Sequence, residues 1–294
     1  MTDKEARDIV RAFDENRLLS EDEIFMFTEA MNYLIDKHHS PKDMLYLGGY
    51  YYEEKKFDLA LKYYEMAASY DYAPAYECLG YIWYYGRTGA VDYEKAFGYF
   101  SKLMDKGNLV AAYKVADMYK NGYFVEKDRA KYEEIVESLY PKVLKCNNAF
   151  DPIPEVFTRL ARIRKKQGKE LDAIDLYMRA KRVLAVRITC NAFFGNLNIM
   201  KWLIEDLYTL IDFDEEDFDL YDLYYLLKEN NHEIVFYYED MEYTVLSELE
   251  DGECHVCFDG KWYRSVDDFF SGAMIDDMKL TYLFEELYDY ELVR

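Results

Sequence analysis

Leu79-Gly80-Tyr81-Ile82-Trp83-Tyr84-Tyr85-Gly86 returns, 36 residues later, as Val115-Ala116-Asp117-Met118-Tyr119-Lys120-Asn121-Gly122. An aliphatic residue, a small residue, an aromatic and a closing glycine hold the same places in both. Asp92 and Asp128 keep the step, and Ala60, Tyr63, Tyr64, Asp71 and Ala75 stand 36 residues before Ala96, Tyr99, Phe100, Gly107 and Ala111. Self-similarity at such a period signals an array of small supersecondary units, each burying its apolar face against the next.

Each unit reads as two antiparallel helices. Leu79 and Trp83, four apart, share one helical face, and small residues such as Gly80 and Ala96 let paired helices approach closely. Gly86 and Gly122 stand where a helix must end in a left-handed turn. Ser40-Pro41-Lys42-Asp43 supplies a cap, a first-turn proline and a carboxylate. Ser20-Glu21-Asp22-Glu23 offers a similar cap to a helix before the array.

The pattern Leu79-Gly80, Trp83, Gly86, Asp92-Tyr93-Glu94-Lys95-Ala96, Gly107, Ala111 resembles the Sel-one-like repeat (SLR), a relative of the tetratricopeptide repeat with a longer loop inside the unit. The likeness is carried by 73–108 and 109–128 and then fades, since Ala96 gives way to Tyr132 and Gly107 to Val143. The unit at 43–72, with the short loop Glu53-Glu54-Lys55-Lys56-Phe57-Asp58, resembles an ordinary tetratricopeptide repeat. Leu160-Ala161, Gly168, Asp172-Ala173, Tyr177 and Ala180 reproduce its spacing over 152–186. We expect a mainly α fold, an α-solenoid of antiparallel helix pairs, with an N-terminal helical cap over 1–40 and an array over 41–230. Units fall at 43–72, 73–108, 109–145 and 152–186, and capping helices at 196–211 and 216–229.

The period changes after Lys228-Glu229-Asn230-Asn231. Ile234 to Tyr238, Tyr243 to Leu246 and Cys254 to Phe258 are β-prone runs separated by Glu-Asp and Asp-Gly turns, which predicts a three-stranded antiparallel meander. Ser265-Val266-Asp267-Asp268 caps a short helix, and Leu280 to Leu287 has helical spacing, giving a small α+β domain over 231–294.

Composition narrows the function. The 294 residues carry a net charge of −22, which repels nucleic acid, so no direct nucleic-acid binding is expected. The N-terminal Met-Thr-Asp-Lys-Glu-Ala-Arg-Asp lacks the apolar core of a secretory signal, and no run of about 18 apolar residues exists to span a membrane. Five scattered cysteines suit a reducing cytoplasm better than a disulfide framework. A monomer or weak homodimer without a cofactor is expected.

No catalytic signature stands out. Cys254-His255-Val256-Cys257 is the most metal-like run, yet a zinc site needs four ligands, and strand residues three apart point to opposite faces. His38-His39 closes a helix, where imidazolium complements the dipole. Gly86-Arg87-Thr88-Gly89 hints at phosphate binding but lacks the Lys-Ser/Thr ending of a P-loop and occupies the repeat's own loop.

The resemblance implies that first-helix positions such as Glu77, Tyr81 and Tyr84 line a concave binding surface. The matching positions are Leu45, Gly49 and Tyr52; Tyr113, Asp117 and Lys120; Thr158, Arg162 and Lys165. Tyrosine also packs neighbouring repeats, so a purely structural reading of these rings stands beside the binding one. The function expected is a non-catalytic scaffold for a protein or peptide. Its rival is an acidic mimic, because 211–294 holds twenty-five Asp/Glu against five Lys/Arg, whereas 158–187 holds ten Lys/Arg against three Asp/Glu. The same division suggests that the acidic part screens the basic hairpin.

Overall fold

The computed structural model describes residues 1–15, 20–190, 194–207, 209–211, 220–229, 232–250, 253–283 and 286–293. The chain is mainly helical with a small α+β part at its C-terminus, and its contacts divide it into two units, Met1–Ile135 and Val136–Arg294.

The first unit begins with α1 (Asp3–Glu15) and α2 (Glu21–His38), followed by α3 (Pro41–Glu53) and α4 (Phe57–Ala68), α5 (Ala73–Tyr84) and α6 (Tyr93–Asp105), and α7 (Leu109–Asn121). Helix α8 (Arg129–Val143) runs across the division. Local chemistry sets these boundaries. Ser20 and Glu23 form a complete capping box on α2, and Ser40 accepts the N–H of Asp43 at 3.3 Å on α3. Gly122, at φ 76°, closes α7 in the left-handed conformation that glycine adopts without penalty.

The repeat is visible bond by bond. The N–H of Asp92 donates to the Trp83 carbonyl at 3.0 Å, and 36 residues on the N–H of Asp128 donates to the Tyr119 carbonyl at 2.9 Å. The Asp92 carboxylate accepts the N–H of Lys95 at 3.0 Å and Asp128 that of Lys131 at 2.9 Å. Arg87 N–H to Ile82 and Tyr123 N–H to Met118 complete the match. The conserved step in the sequence is therefore a loop that folds back on the helix before it and caps the helix after it.

Within each pair a ring seats in a notch. A Cβ built on Gly80 would lie 2.5 Å from the Phe100 ring, and one on Gly48 would lie 2.6 Å from the Tyr64 ring. Phe100 is fully buried and Tyr64 nearly so. Burial pushes the Tyr64 phenol up, and the Cys78 thiol beside it rises to about 11 for the same reason.

The second unit pairs α9 (Ile153–Lys166) with α10 (Glu170–Cys190), then adds α11 (Phe194–Leu207) and α12 (Leu220–Glu229). The capping helices expected at 196–211 and 216–229 have these bounds; part of each expected span lies outside the described residues. In α10, Lys181 meets Asp222 of α12 at 3.0 Å, and both are buried. This ion pair joins the basic hairpin to 211–294; other cations of the hairpin find acids at Glu137, Glu155 and Asp206. Breaking a buried pair of this kind by removing one partner costs about 3–5 kcal/mol.

The expected three-stranded meander belongs to a five-stranded antiparallel sheet in which 261–263, 253–258, 241–250, 233–238 and 288–292 lie side by side in that order. Strands β1 (Glu233–Tyr238), β2 (Met241–Glu250) and β3 (Glu253–Phe258) are the meander, extended by β4 (Lys261–Tyr263) and β7 (Tyr288–Leu292). Ser265 caps α13 (Val266–Gly272) as expected. A two-stranded ribbon, β5 (Met274–Ile275) and β6 (Met278–Lys279), follows. Of the helix expected over Leu280 to Leu287, α14 (Leu280–Leu283) is present and 284–285 lie outside the described residues; β7 then pairs with the open edge of β1. Ile234, Phe236, Val245, Val256 and Phe258 fill the buried face, and Cys254 lies in register on that side while Cys257 alternates away from it.

Two helical glycines, Gly80 in α5 and Gly98 in α6, give opposite expectations. Gly80→Ala forces a methyl into the Phe100 ring and should cost about 1–3 kcal/mol. Gly98 lies inside α6 with nothing within 4 Å of its virtual Cβ, so Gly98→Ala should stabilise by about 0.5–1 kcal/mol. Urea unfolding of both variants measures the pair.

Candidate functional site: a tyrosine strip around Lys114

In α5, Tyr81 and Tyr84 lie three residues apart and so share a helical face, and Tyr85 caps the helix directly after them. Helix α7 answers with Tyr113 and Lys114. The Lys114 ammonium lies 5.2 Å from the centres of both the Tyr81 and Tyr84 rings, and 5.6 Å from those of Tyr85 and Tyr113. It also donates to the Tyr85 hydroxyl at 3.4 Å. Ring faces carry partial negative charge, so the four of them attract the ammonium.

The rings support one another. Tyr81 and Tyr85 are parallel with centroids 5.9 Å apart, and Tyr84 meets Tyr85, Tyr93, Phe100 and Tyr123 edge to face. Tyr93, which opens α6, and Tyr123, just after α7, stack at 4.3 Å. Tyr84 is largely withdrawn from solvent and burial pushes its phenol up, whereas Tyr85 is 49% exposed. The strip thus has a packed side and an open side.

Acidic groups stand beside it. Glu77 is partly buried, and burial raises its carboxyl above the usual range, with the Asn108 side chain and the Lys114 charge acting in the other direction. The Asp117 carboxylate lies close enough to Tyr84 to disfavour its phenolate.

The remaining sequence candidates are dispersed. Tyr52 ends α3 edge-on to Phe57 with the Arg87 guanidinium 6.0 Å above its ring. Leu45 packs into the α3–α4 core, and Gly49 has open space beside it. Lys120 sits over the Tyr132 ring at 5.6 Å. Tyr113 is nearly buried. In the second unit, Thr158 is buried with its hydroxyl donating to the Pro154 carbonyl at 2.7 Å. Arg162 binds Asp206 and Lys165 binds the Thr209 hydroxyl. Trp83 covers the inner side of its helix with the Lys95 ammonium 3.8 Å above its ring.

Sequence reasoning missed Lys114, Tyr85 and Arg87, which hold the strip together. The available signal was the interleaving of cations with aromatics at these positions. Chemically the strip offers ring faces, phenol hydroxyls and one ammonium, which suits recognition. Among the described residues no group of three or more His, Cys, Asp and Glu is placed to hold a metal ion, and no helix is long and apolar enough to cross a membrane.

No family model and no curated protein matches the sequence. Among solved structures the chain is similar to a Sel1 repeat protein from Oxalobacter formigenes, at 20% identity and a TM-score of 0.47 over 60% of this chain and 66% of that one. It is also similar to c5321, described as a protective antigen of uropathogenic Escherichia coli displaying an SLR fold, at 15% identity and a TM-score of 0.45 over 62% of this chain and 41% of that one. The chain spans less than two thirds of the length of either.

Glu77 gives this site a pH signature. Because its folded-state carboxyl titrates above its unfolded value, the ionised form carries a penalty at neutral pH that vanishes once acid protonates it in both states. Glu77→Gln should therefore raise the Tm at neutral pH, and the gain should shrink towards zero below about pH 4. Thermal melts of both proteins across that range provide the check.

Proposed function

We propose that the protein is a non-catalytic scaffold that binds a protein or peptide through the tyrosine strip of α5 and α7. The observation that supports this reading is the setting of Lys114, an ammonium ringed by four tyrosines with Tyr85 half open to solvent. Rigid aromatics with polar tips lose little conformational entropy on contact, and with a central cation they have the composition of binding hot spots. The helix-pair repeat supplies a stiff support for such a surface.

The acidic-mimic reading has one observation in its favour. Burial and then the carboxylates of Asp276, Asp259 and Glu239 push the Tyr243 phenol up, so one end of the sheet is an acidic pole. Binding through that pole would weaken steeply with added salt, whereas binding through ring faces would not.

Tyr85 and Lys114 separate binding from folding better than Tyr84, whose ring packs on Phe100. In affinity capture from the native host, the variant carrying Tyr85→Ala and Lys114→Ala should hold the partner at least about 30-fold more weakly, which is about 2 kcal/mol. Its far-ultraviolet circular dichroism should match that of the parent. Undiminished capture by the double variant would remove the strip from the interface.

A further inference from the structure

Beside the strip, an open depression of about 360 Å³ lies between residues 55–59 and residues 87–88. Its lining includes Lys55, Lys56, Arg87 and Thr88 against a single carboxylate, Asp58. In a chain of net charge −22 such a concentration of cations is unusual. Their pairing is unusual as well. Lys56 makes a 3.8 Å contact with Glu54, with both side chains about half exposed, and no ion pair forms at Lys55 or Arg87 among the described residues.

Arg87 is nevertheless held in place. Its guanidinium lies 5.4 Å from the Tyr85 ring centre and 6.0 Å from those of Tyr52 and Phe57. Cation–π attraction to these rings draws the guanidinium towards them while leaving its N–H fork available, and that fork matches the paired oxygens of a carboxylate or phosphate. The Arg87 main chain is anchored too, its N–H donating to the Ile82 carbonyl at 3.0 Å. Thr88 adds a hydroxyl to the same wall.

We propose that this depression is an oxyanion subsite, which takes the phosphate or carboxylate of a side chain on the bound peptide. The inference rests on the strip as the binding surface and names the chemistry of what lies on it. Tyr85 joins the two parts, since its ring meets Arg87 and its hydroxyl meets Lys114. An occupant would set its apolar or aromatic portion on the tyrosines and its anionic group against Arg87. The Gly86-Arg87-Thr88-Gly89 loop thereby serves an anion without a P-loop, through a ring-flanked guanidinium and two lysines.

The test titrates the isotopically labelled full chain, at constant ionic strength, with N-acetyl-phosphoserine amide, N-acetyl-glutamate amide and inorganic phosphate, with sodium chloride as the control. Saturable amide and guanidinium shifts confined to 55–59 and 86–89 are expected. Tighter binding of the phosphoserine probe assigns the subsite to a phosphate source, and tighter binding of the glutamate probe to a carboxylate source. Arg87→Lys, which keeps the charge and loses the planar N–H fork, should weaken the better probe about tenfold, and Arg87→Ala should remove the shifts while the rest of the spectrum stays in place. Small unsaturable shifts spread over all lysines, or shifts unchanged in Arg87→Ala, would overturn the proposal. Probe binding at Arg87 combined with partner capture that ignores Tyr85→Ala/Lys114→Ala would instead refute the strip and leave the subsite standing.

Discussion

The seating of an aromatic ring in a glycine notch sets the spacing on which the first unit depends. Where Gly80 receives Phe100 and Gly48 receives Tyr64, the two helices of a pair approach more closely than any side chain larger than hydrogen permits. That closeness fixes how each helix faces the next pair, and so decides which tyrosines of α5 turn inward and which meet α7. Interiors are dense enough that a single methyl is felt at such a contact.

The loop between the helices is the second constraint, and it leads to the surface chemistry. By donating from Asp92 to the Trp83 carbonyl and capping α6 with the same residue, the chain ties the segment 85–92 to both helices it connects. Tyr85 and Arg87 are therefore presented from a fixed frame, although they lie outside any helix. A long loop that is hydrogen-bonded at its far end can carry recognition residues with little ordering cost on binding. The protein also keeps its charges apart by structure. Cations of the α9–α10 pair are engaged by Glu137, Glu155, Asp206 and Asp222, whereas Arg87 and Lys114 rest on rings.

Much of this architecture was legible in the sequence because it repeats. The step of 36 residues, the glycine stops and the Asp92 and Asp128 caps are each a local rule written more than once. The strip was half legible. Tyr81 and Tyr84 follow from helical spacing, but Lys114, next to Tyr113, reads as an ordinary solvated charge until the partner helix is placed. Tyr85 is past the end of its helix, where periodicity says nothing. Arg87 sits in a loop that matches no phosphate-binding motif. Strand β7 escaped because Tyr288–Leu292 follows directly on a helically spaced run, and only the open edge of β1 makes a strand of it. Arg162 and Lys165 were legible as cations, while their acceptors, about forty positions away, were not.

The most direct measurement is the hydrogen-exchange footprint of the captured partner on the full chain. Our account expects added protection in 73–84, 85–89 and 109–121, with the α9–α10 pair and the sheet unchanged. Protection confined to 170–190, or to the turns at 239–242 and 259–260, would contradict it and move the binding surface to the second unit.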